Sequence, residues 1–417
     1  MPKTLSNQMV DHLFRHESGR MVAVLLRIFG MHHLGMVEDV VQESFIKALQ
    51  SWKISGVPDN PSGWLMQVAK NRALDILKQK KNRATILENL PSPGLGATTL
   101  ERLFHEQEIS DSQLQLIFAC CHPALKEEDQ IALTLKTVSG FSVSEIANSL
   151  LIKPDAIRQR LHRAKKFIAE NGMSMEIPAG KELLPRIQPV LTVLYLLFNE
   201  GYNSTTNEEI IRRDLCAEAM RLTKFLVEHP AGKNTSAPAL LALMCYHAAR
   251  FDARIDEDGQ IILLQNQDRS KWNRQLMAVG HHYMKMSTDI KPVTSNHLEA
   301  AIACEHCMSP DFESMDWNRL IKMYTYLYEI RPIPIVKLNL LVVHIQNQDF
   351  PIAEKILTEL NEEDFPGKEY LYFSVLSEFY FKKGLQKEST HYLNLAISYC
   401  QNPTEKRMLE KRLSARC

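Results

Sequence analysis

The residues best suited to chemistry fall in four stretches. Cys304-Glu305-His306-Cys307 has C-x-x-C spacing, and Cys120-Cys121-His122 sets two thiols beside an imidazole. Zinc or redox chemistry is the sharp reading of either. A structural zinc site, however, takes four ligands in paired clusters, and neither stretch has a partner pair at such spacing. Both therefore read as buried helix residues, and no metal is expected. Asp252, Asp256, Glu257 and Asp258 precede Gly259, but the D-x-D-x-D-G spacing and closing glutamate of a calcium loop are not met. A DEDG turn before an ILLQ strand or helix is the simpler reading. The fourth stretch, SGFSVSEIANSLLIKPDAIRQRLHRAKKF from Ser139 to Phe167, carries no nucleophile but much positive charge.

The elements that position this charge are two short helices. Ser142-Val143-Ser144-Glu145 has the S-x-x-E form of a capping box, in which serine and glutamate each satisfy an orphan backbone N–H. Lys153-Pro154 restarts the chain, proline being tolerated in a helix's first turn. On the second helix Ile157, Leu161, Ala164 and Ile168 recur at helical spacing and form an inward stripe. Arg158, Gln159, His162, Arg163 and Lys166 point away from it. A helix-turn-helix with a basic outer face suits a DNA major groove; an ordinary solvated helix hairpin is the competing reading.

The chain has 417 residues, 45% of them hydrophobic and 24% charged, which suits two or three globular domains. The N-terminus lacks a signal-peptide pattern, and no apolar run approaches the ~20 residues of a membrane span, so a cytoplasmic protein is expected. Eight cysteines are too sparse for a disulfide framework. Net charge is zero, but its distribution is uneven: residues 1–170 hold 21 Lys/Arg against 18 Asp/Glu, and residues 171–417 hold 28 against 31. Lys70 to Arg83 and Lys153 to Lys166 each hold six positive charges and one negative. Two basic helices are a better indicator of nucleic acid than the average.

Residues 6–30 read as a first helix, with Met9, Leu13, Val22, Leu25, Leu26 and Phe29 apolar and a break possible at Gly19. In VEDVVQESFIKALQSW, Val40, Val41, Phe45, Ala48 and Leu49 can face a core. Glu38, Asp39, Gln42 and Glu43 then lie outside, an acidic face that suits a protein partner. Lys53 to Pro61 reads as a loop. In PSGWLMQVAKNRALDILKQKKNR, Leu65, Val68, Ala69, Ala73, Ile76 and Leu77 make an apolar face, with Gln67, Asn71 and Lys78 opposite. Trp64 could stack on a base or anchor the loop. Pro91-Ser92-Pro93-Gly94 marks a linker, which would let two small helical domains sit apart on a large partner.

In this order the segments resemble the extracytoplasmic-function (ECF) group of bacterial sigma factors, over residues 6–170. The resemblance implies an all-α fold. A sigma region 2 bundle would occupy 6–83, a linker 84–110, and a region 4 helix-turn-helix 111–170. It implies that Asp39, Gln42 and Glu43 bind the β′ clamp helices of core RNA polymerase. Asn71, Arg72, Lys78 and Lys80 would lie near the −10 element, and the loop over Ser51 to Asn60 would capture a flipped base. Arg158, Gln159, His162 and Arg163 would be nearest the −35 bases, with Lys165 and Lys166 on phosphates.

The chain continues for some 245 residues beyond a minimal family member. VLTVLYLLFNEGYNST, FDARIDEDGQIILLQNQDRSKWN and LEAAIACEH look like the large C-terminal region of one ECF subgroup. That implies a helical extension over 182–312 and tetratricopeptide-like helical repeats over 316–417, with a surface for a protein or peptide partner. Pro334–Gln346 with Phe350–Leu360, and Lys368–Lys382 with Leu385–Tyr399, read as two helix pairs offset by about 35 residues, near the ~34-residue period of such repeats. Gly201 reads as the stop of the helix before it. With no P-loop, H-E-x-x-H or nucleophile elbow, the expected protein is no enzyme, holds no cofactor, and is a promoter-specificity subunit regulated in cis by its extension. The alternative is a stand-alone helix-turn-helix regulator acting as a dimer on palindromic half-sites.

Overall fold

The first helix, α1 (Pro2–Phe29), is unbroken through Gly19. Its C-terminal half, Met21 to Phe29, is apolar almost all round and almost wholly buried, as an all-round apolar helix must be. It is enclosed by α2 (Leu34–Ser55), α3 (Pro61–Asn82) and α4 (Glu106–Cys120). The computed structural model describes residues 2–82, 106–150, 152–177, 182–203, 211–233, 235–257 and 259–416, and within some helices only the backbone. Most of the 84–110 linker thus lies outside the described residues, and its last part, from Glu106, is already helical. Lys53 to Ser55 are also helical rather than loop, and Pro61 is the first residue of α3. Only residues 56–60 connect the two helices.

Helices α5 (Glu127–Thr137), α6 (Val143–Ser149) and α7 (Pro154–Asn171) follow, then α8 (Leu184–Tyr202) and α9 (Arg213–Glu228). All belong to one compact unit, Met1–Lys233; a second runs from Asn234 to Cys417. The division falls inside the segment expected as one domain over 182–312, because α8 and α9 pack on each other and on α4 and α5.

Gly19 and Gly201 are places of close approach. A Cβ on Gly19 would lie 1.8 Å from the Val138 carbonyl oxygen at the end of α5. On Gly201 it would lie 2.7 Å from Cys216 Sγ and 2.9 Å from the Arg212 oxygen. Gly201 does not end α8, which continues through Tyr202. Its carbonyl instead accepts a 2.7 Å bond from the Arg212 amide.

The second unit is built around α10 (Ala237–Ala248), nearly every residue of which is buried. It packs on α11 (Arg274–Ser287) and α12 (Ser295–Met308). The segment between α10 and α11 makes one antiparallel bridge, Ile255 to Ile261, closed by Asp256, whose carboxylate accepts the Gln260 amide at 2.8 Å. The aspartate therefore closes a turn. Beyond α13 (Trp317–Ile330), α14 (Pro334–Gln346) pairs with α15 (Phe350–Leu357), and α16 (Glu369–Lys382) with α17 (Gln386–Tyr399); α18 (Pro403–Ser414) follows. Cores pass from helix to helix. Val336 and Val343 of α14 join Leu320 and Leu327, while Leu338 and Leu341 join Ala353 and Phe379. Helix α14 is thus buried on two sides by its sequence neighbours.

Candidate nucleic-acid interface

The helix-turn-helix is assembled by its capping box. The Glu145 carboxylate accepts the Ser142 amide at 2.8 Å, and Ser142 Oγ accepts the Glu145 amide at 3.1 Å. Pro154 opens α7 behind Lys153. Ile157, Leu161, Ala164 and Ile168 are buried, worth roughly 1.5–3 kcal/mol for each large aliphatic chain. That stripe fixes the rotation of α7, leaving Arg158, Gln159, His162, Arg163 and Lys166 exposed and Lys165 half-buried.

Those cations are not equally free. Arg158 pairs along its own helix with Asp155, and Lys166 lies 3.9 Å from Glu170; such exposed pairs contribute little and are easily exchanged for a phosphate. Arg163 is different. Its guanidinium forks onto buried Asp129 in the first turn of α5, at 2.7 and 3.2 Å, and so staples α7 to α5. Lys165 Nζ donates to Glu38 Oε2 of α2 at 2.6 Å. Lys136, near Glu38 and Lys165, has its pKa lowered by burial.

On α2, Val40, Val41, Phe45 and Ala48 are buried while Asp39, Gln42 and Glu43 are exposed; Leu49 is only partly covered. Ile46, on the same outer side, is 53% exposed. On α3, Asn71 accepts a 2.9 Å bond from Gln67, and Arg72 Nε lies 3.1 Å from Glu43 Oε2, which couples the acidic face of α2 to the basic helix. Lys78 and Lys80 fall on α3, but their side chains lie outside the described residues. Trp64 is half-buried, edge-on to buried Trp52 with ring centroids 5.4 Å apart, and so anchors the connection at 56–60.

Sequence reasoning missed the contacts between distant helices. Arg27 donates to Glu108 at 2.8 Å and to Ser112 at 3.3 Å. Arg212, 2% exposed, pairs with Glu145 at 3.1 Å. Arg221 donates to Gln113 Oε1 at 2.7 Å. No local pattern marks these pairs, whose members lie 67 to 108 residues apart.

The thiols are poorly placed for reaction. Burial pushes the Cys120 pKa up to about 12 and that of Cys307 up to about 11. Among the described residues no three His, Cys, Asp or Glu side chains converge to hold a metal, and no helix is long and apolar enough to cross a membrane.

Comparison with known proteins matches residues 13–83 to sigma-70 region 2 and residues 115–168 to sigma-70 region 4. Residues 186–288 match a family of unknown function, DUF6596. An uncharacterised protein of Rhizobium meliloti is 32% identical over 389 residues, 92% of this chain and 90% of that one. The ECF RNA polymerase sigma factor SigE of Mycolicibacterium smegmatis is 28% identical over 160 residues, 38% of this chain and 60% of the relative. The ECF RNA polymerase sigma-E factor of Haemophilus influenzae is 29% identical over 137 residues, 32% of this chain and 72% of the relative. No solved structure matches the chain.

Proposed function

We propose, for a chain that belongs to the ECF group of the sigma-70 family, that it directs core RNA polymerase to bipartite promoters and that its extension acts on region 4 in cis. The observation that carries the promoter reading is the outer face of α7, where Arg158, Gln159 and His162 stand exposed over a fully buried stripe. In this reading Asp39, Gln42 and Glu43, with Ile46, meet the β′ clamp helices. Asn71, Arg72, Lys78 and Lys80 lie along the −10 element, and Arg158, Gln159 and His162 read the −35 bases. Lys165 and Lys166 hold phosphates. Arg163 positions α7 through Asp129, and it reads a base only where that pair opens.

The test uses the whole chain with and without core polymerase. Mobility shifts on promoters selected with the holoenzyme should be strong with core and weak without it. Tight binding to palindromes by the isolated dimer would favour the stand-alone regulator instead. Arg158→Ala should cost ~1–3 kcal/mol of discrimination at one −35 base pair, read as a five-fold or larger loss of preference there with core binding unchanged.

Support for action in cis is the hold of α8 and α9 on region 4. Arg212 pairs with the same Glu145 that caps α6, and Arg221 fixes Gln113 on α4. The extension therefore buttresses the helix-turn-helix. Arg212→Met keeps the aliphatic volume and removes a charged hydrogen bond worth ~1.5–3 kcal/mol. It should lower run-off transcription by full-length holoenzyme several-fold. Activity equal to wild type would overturn the cis role. The repeat-like helices beyond Trp317 would then serve as a docking surface for a protein partner.

A further inference from the structure

The promoter reading leaves unused the stretch from Arg250 to Asn273, which lies within the segment of unknown function. Two arginines from it stack on one indole: the guanidinium carbons of Arg250 and Arg269 lie 5.7 and 4.5 Å from the Trp272 ring centroid. Trp272 is 3% exposed and Arg250 is 9% exposed. Among the described residues neither arginine has a carboxylate in ion-pair contact. Arg250 Nε donates to the neutral Gln267 Oε1, at 3.3 Å. Arg269 Nη1 donates to the carbonyls of His306 and Ser309 at the end of α12. That helix terminus offers about half a negative charge, which accounts for part of Arg269 and none of Arg250. Asp311 and Glu313, both exposed, act on Arg269 only through space.

Among the described residues, three buried polar atoms on the same side chains have no hydrogen-bond partner: Arg269 Nη2, Trp272 Nε1 and His306 Nδ1. Native proteins rarely leave buried donors unmet, and each costs ~1–3 kcal/mol if nothing satisfies it. Two guanidiniums beside each other repel, and uncompensated buried charge is costlier still. A compact anion with several acceptor oxygens would offset the guanidinium charge and accept from Arg269 Nη2, from Trp272 Nε1 and, in the tautomer protonated there, from His306 Nδ1.

We propose that Arg250, Arg269, Trp272 and His306 form a binding site for a phosphate-type anion, free or carried on a small metabolite. The planar fork of arginine matches phosphate oxygens, and the indole N–H adds a neutral donor. Because Trp272 and Arg250 are recessed, the backbone of a nucleic acid cannot reach them, so the ligand is a small molecule. The site stands independently of the promoter reading. If both hold, it gives the extension a small-molecule input.

Titrating the full-length protein with inorganic phosphate and, separately, ribose 5-phosphate, at constant ionic strength in chloride, tests this by tryptophan emission. A saturable change is expected, absent in Trp272→Phe, with affinity at least ten-fold weaker in Arg250→Met and in Arg269→Met. Tighter binding of ribose 5-phosphate than of phosphate identifies a phosphorylated metabolite as the ligand, and equal binding identifies free phosphate. Arg250→Lys, which keeps the charge but loses the fork, should also bind more weakly and serves if the methionine variant does not fold. No saturable response by wild type up to millimolar concentrations of either probe would overturn the proposal. So would a response that chloride reproduces, or one that persists undiminished in Trp272→Phe and the arginine variants.

Discussion

Gly19→Ala should separate the two halves of the first unit. The new methyl would sit 1.8 Å from the Val138 carbonyl oxygen, and that oxygen belongs to backbone at the end of α5, so no side-chain rotation can make room. Overpacking of this kind costs ~1–3 kcal/mol and more where the backbone must move; the upper end applies here. For a unit of this size that is roughly 6–12 °C in Tm. The same approach holds Lys165 Nζ 2.6 Å from Glu38 Oε2, close enough for a zero-length carbodiimide cross-link. Wild type should yield the Glu38–Lys165 isopeptide by mass spectrometry, and Gly19→Ala should lose it. An unchanged Tm together with a retained cross-link would show that α1 and α5 do not approach so closely in solution.

The functional consequence of that variant is less obvious and more informative. Elements at −35 and −10 are about 25 base pairs apart, roughly 85 Å along a duplex at 3.4 Å per step. With α7 touching α2, the two surfaces proposed to face DNA cannot span that distance. The 22 residues of 84–105 could reach ~70–80 Å fully extended, which together with the width of the helical domains on either side of them covers the separation. Under the proposed function the contact must open on the promoter. Gly19→Ala should therefore retain promoter-directed transcription at temperatures where it is folded, despite its lower stability.

Gly19 and Gly201 also show where sequence reasoning stops. Both were legible as missing side chains, and a break and a helix stop were the local explanations. The cause lies in what approaches: Val138, 119 positions away from Gly19, and the start of α9 beside Gly201. The stripe of α7 and its capping box were legible because helical spacing and the S-x-x-E form are local, and the outward direction of Arg158, Gln159 and His162 follows from them. The outward direction of Arg163 was legible for the same reason, whereas Lys165, given a phosphate role only by the resemblance, is half-buried. Their engagement by Asp129 and Glu38 was not legible, since those carboxylates come from other helices. The buried arginines of the Arg250 to Asn273 stretch escaped notice because charge in a sequence reads as surface until burial is known.

Lowering the pH from 7.5 to 5 should destabilise the second unit steeply. Burial, then Arg250, Arg254 and His306 close by, hold the His247 pKa well below the ordinary imidazole value. Burial, then Arg250 and Arg269, bring that of His306 down to about 3. Both rings are therefore neutral in the folded protein across this range, whereas in the unfolded chain they take up protons near pH 6.5. Below that value the unfolded state binds more protons, so stability rises with pH. The contribution is complete above about pH 6.5 and is lost as pH falls from there toward 3. Each ring gives at most ~1.4 kcal/mol per pH unit, so the pair can remove up to ~4 kcal/mol by pH 5. That is a large share of the ~5–15 kcal/mol typical of a domain. Denaturant titration at several pH values measures the slope, and His306→Asn should remove about half of it. A stability that stays flat from pH 7.5 to 5 would refute the account. An anion bound beside Arg250 and Arg269 would favour the charged imidazole, raise the His306 pKa and flatten the slope. The pH dependence with and without phosphate thus joins the buried histidines to the proposed anion site in one measurement.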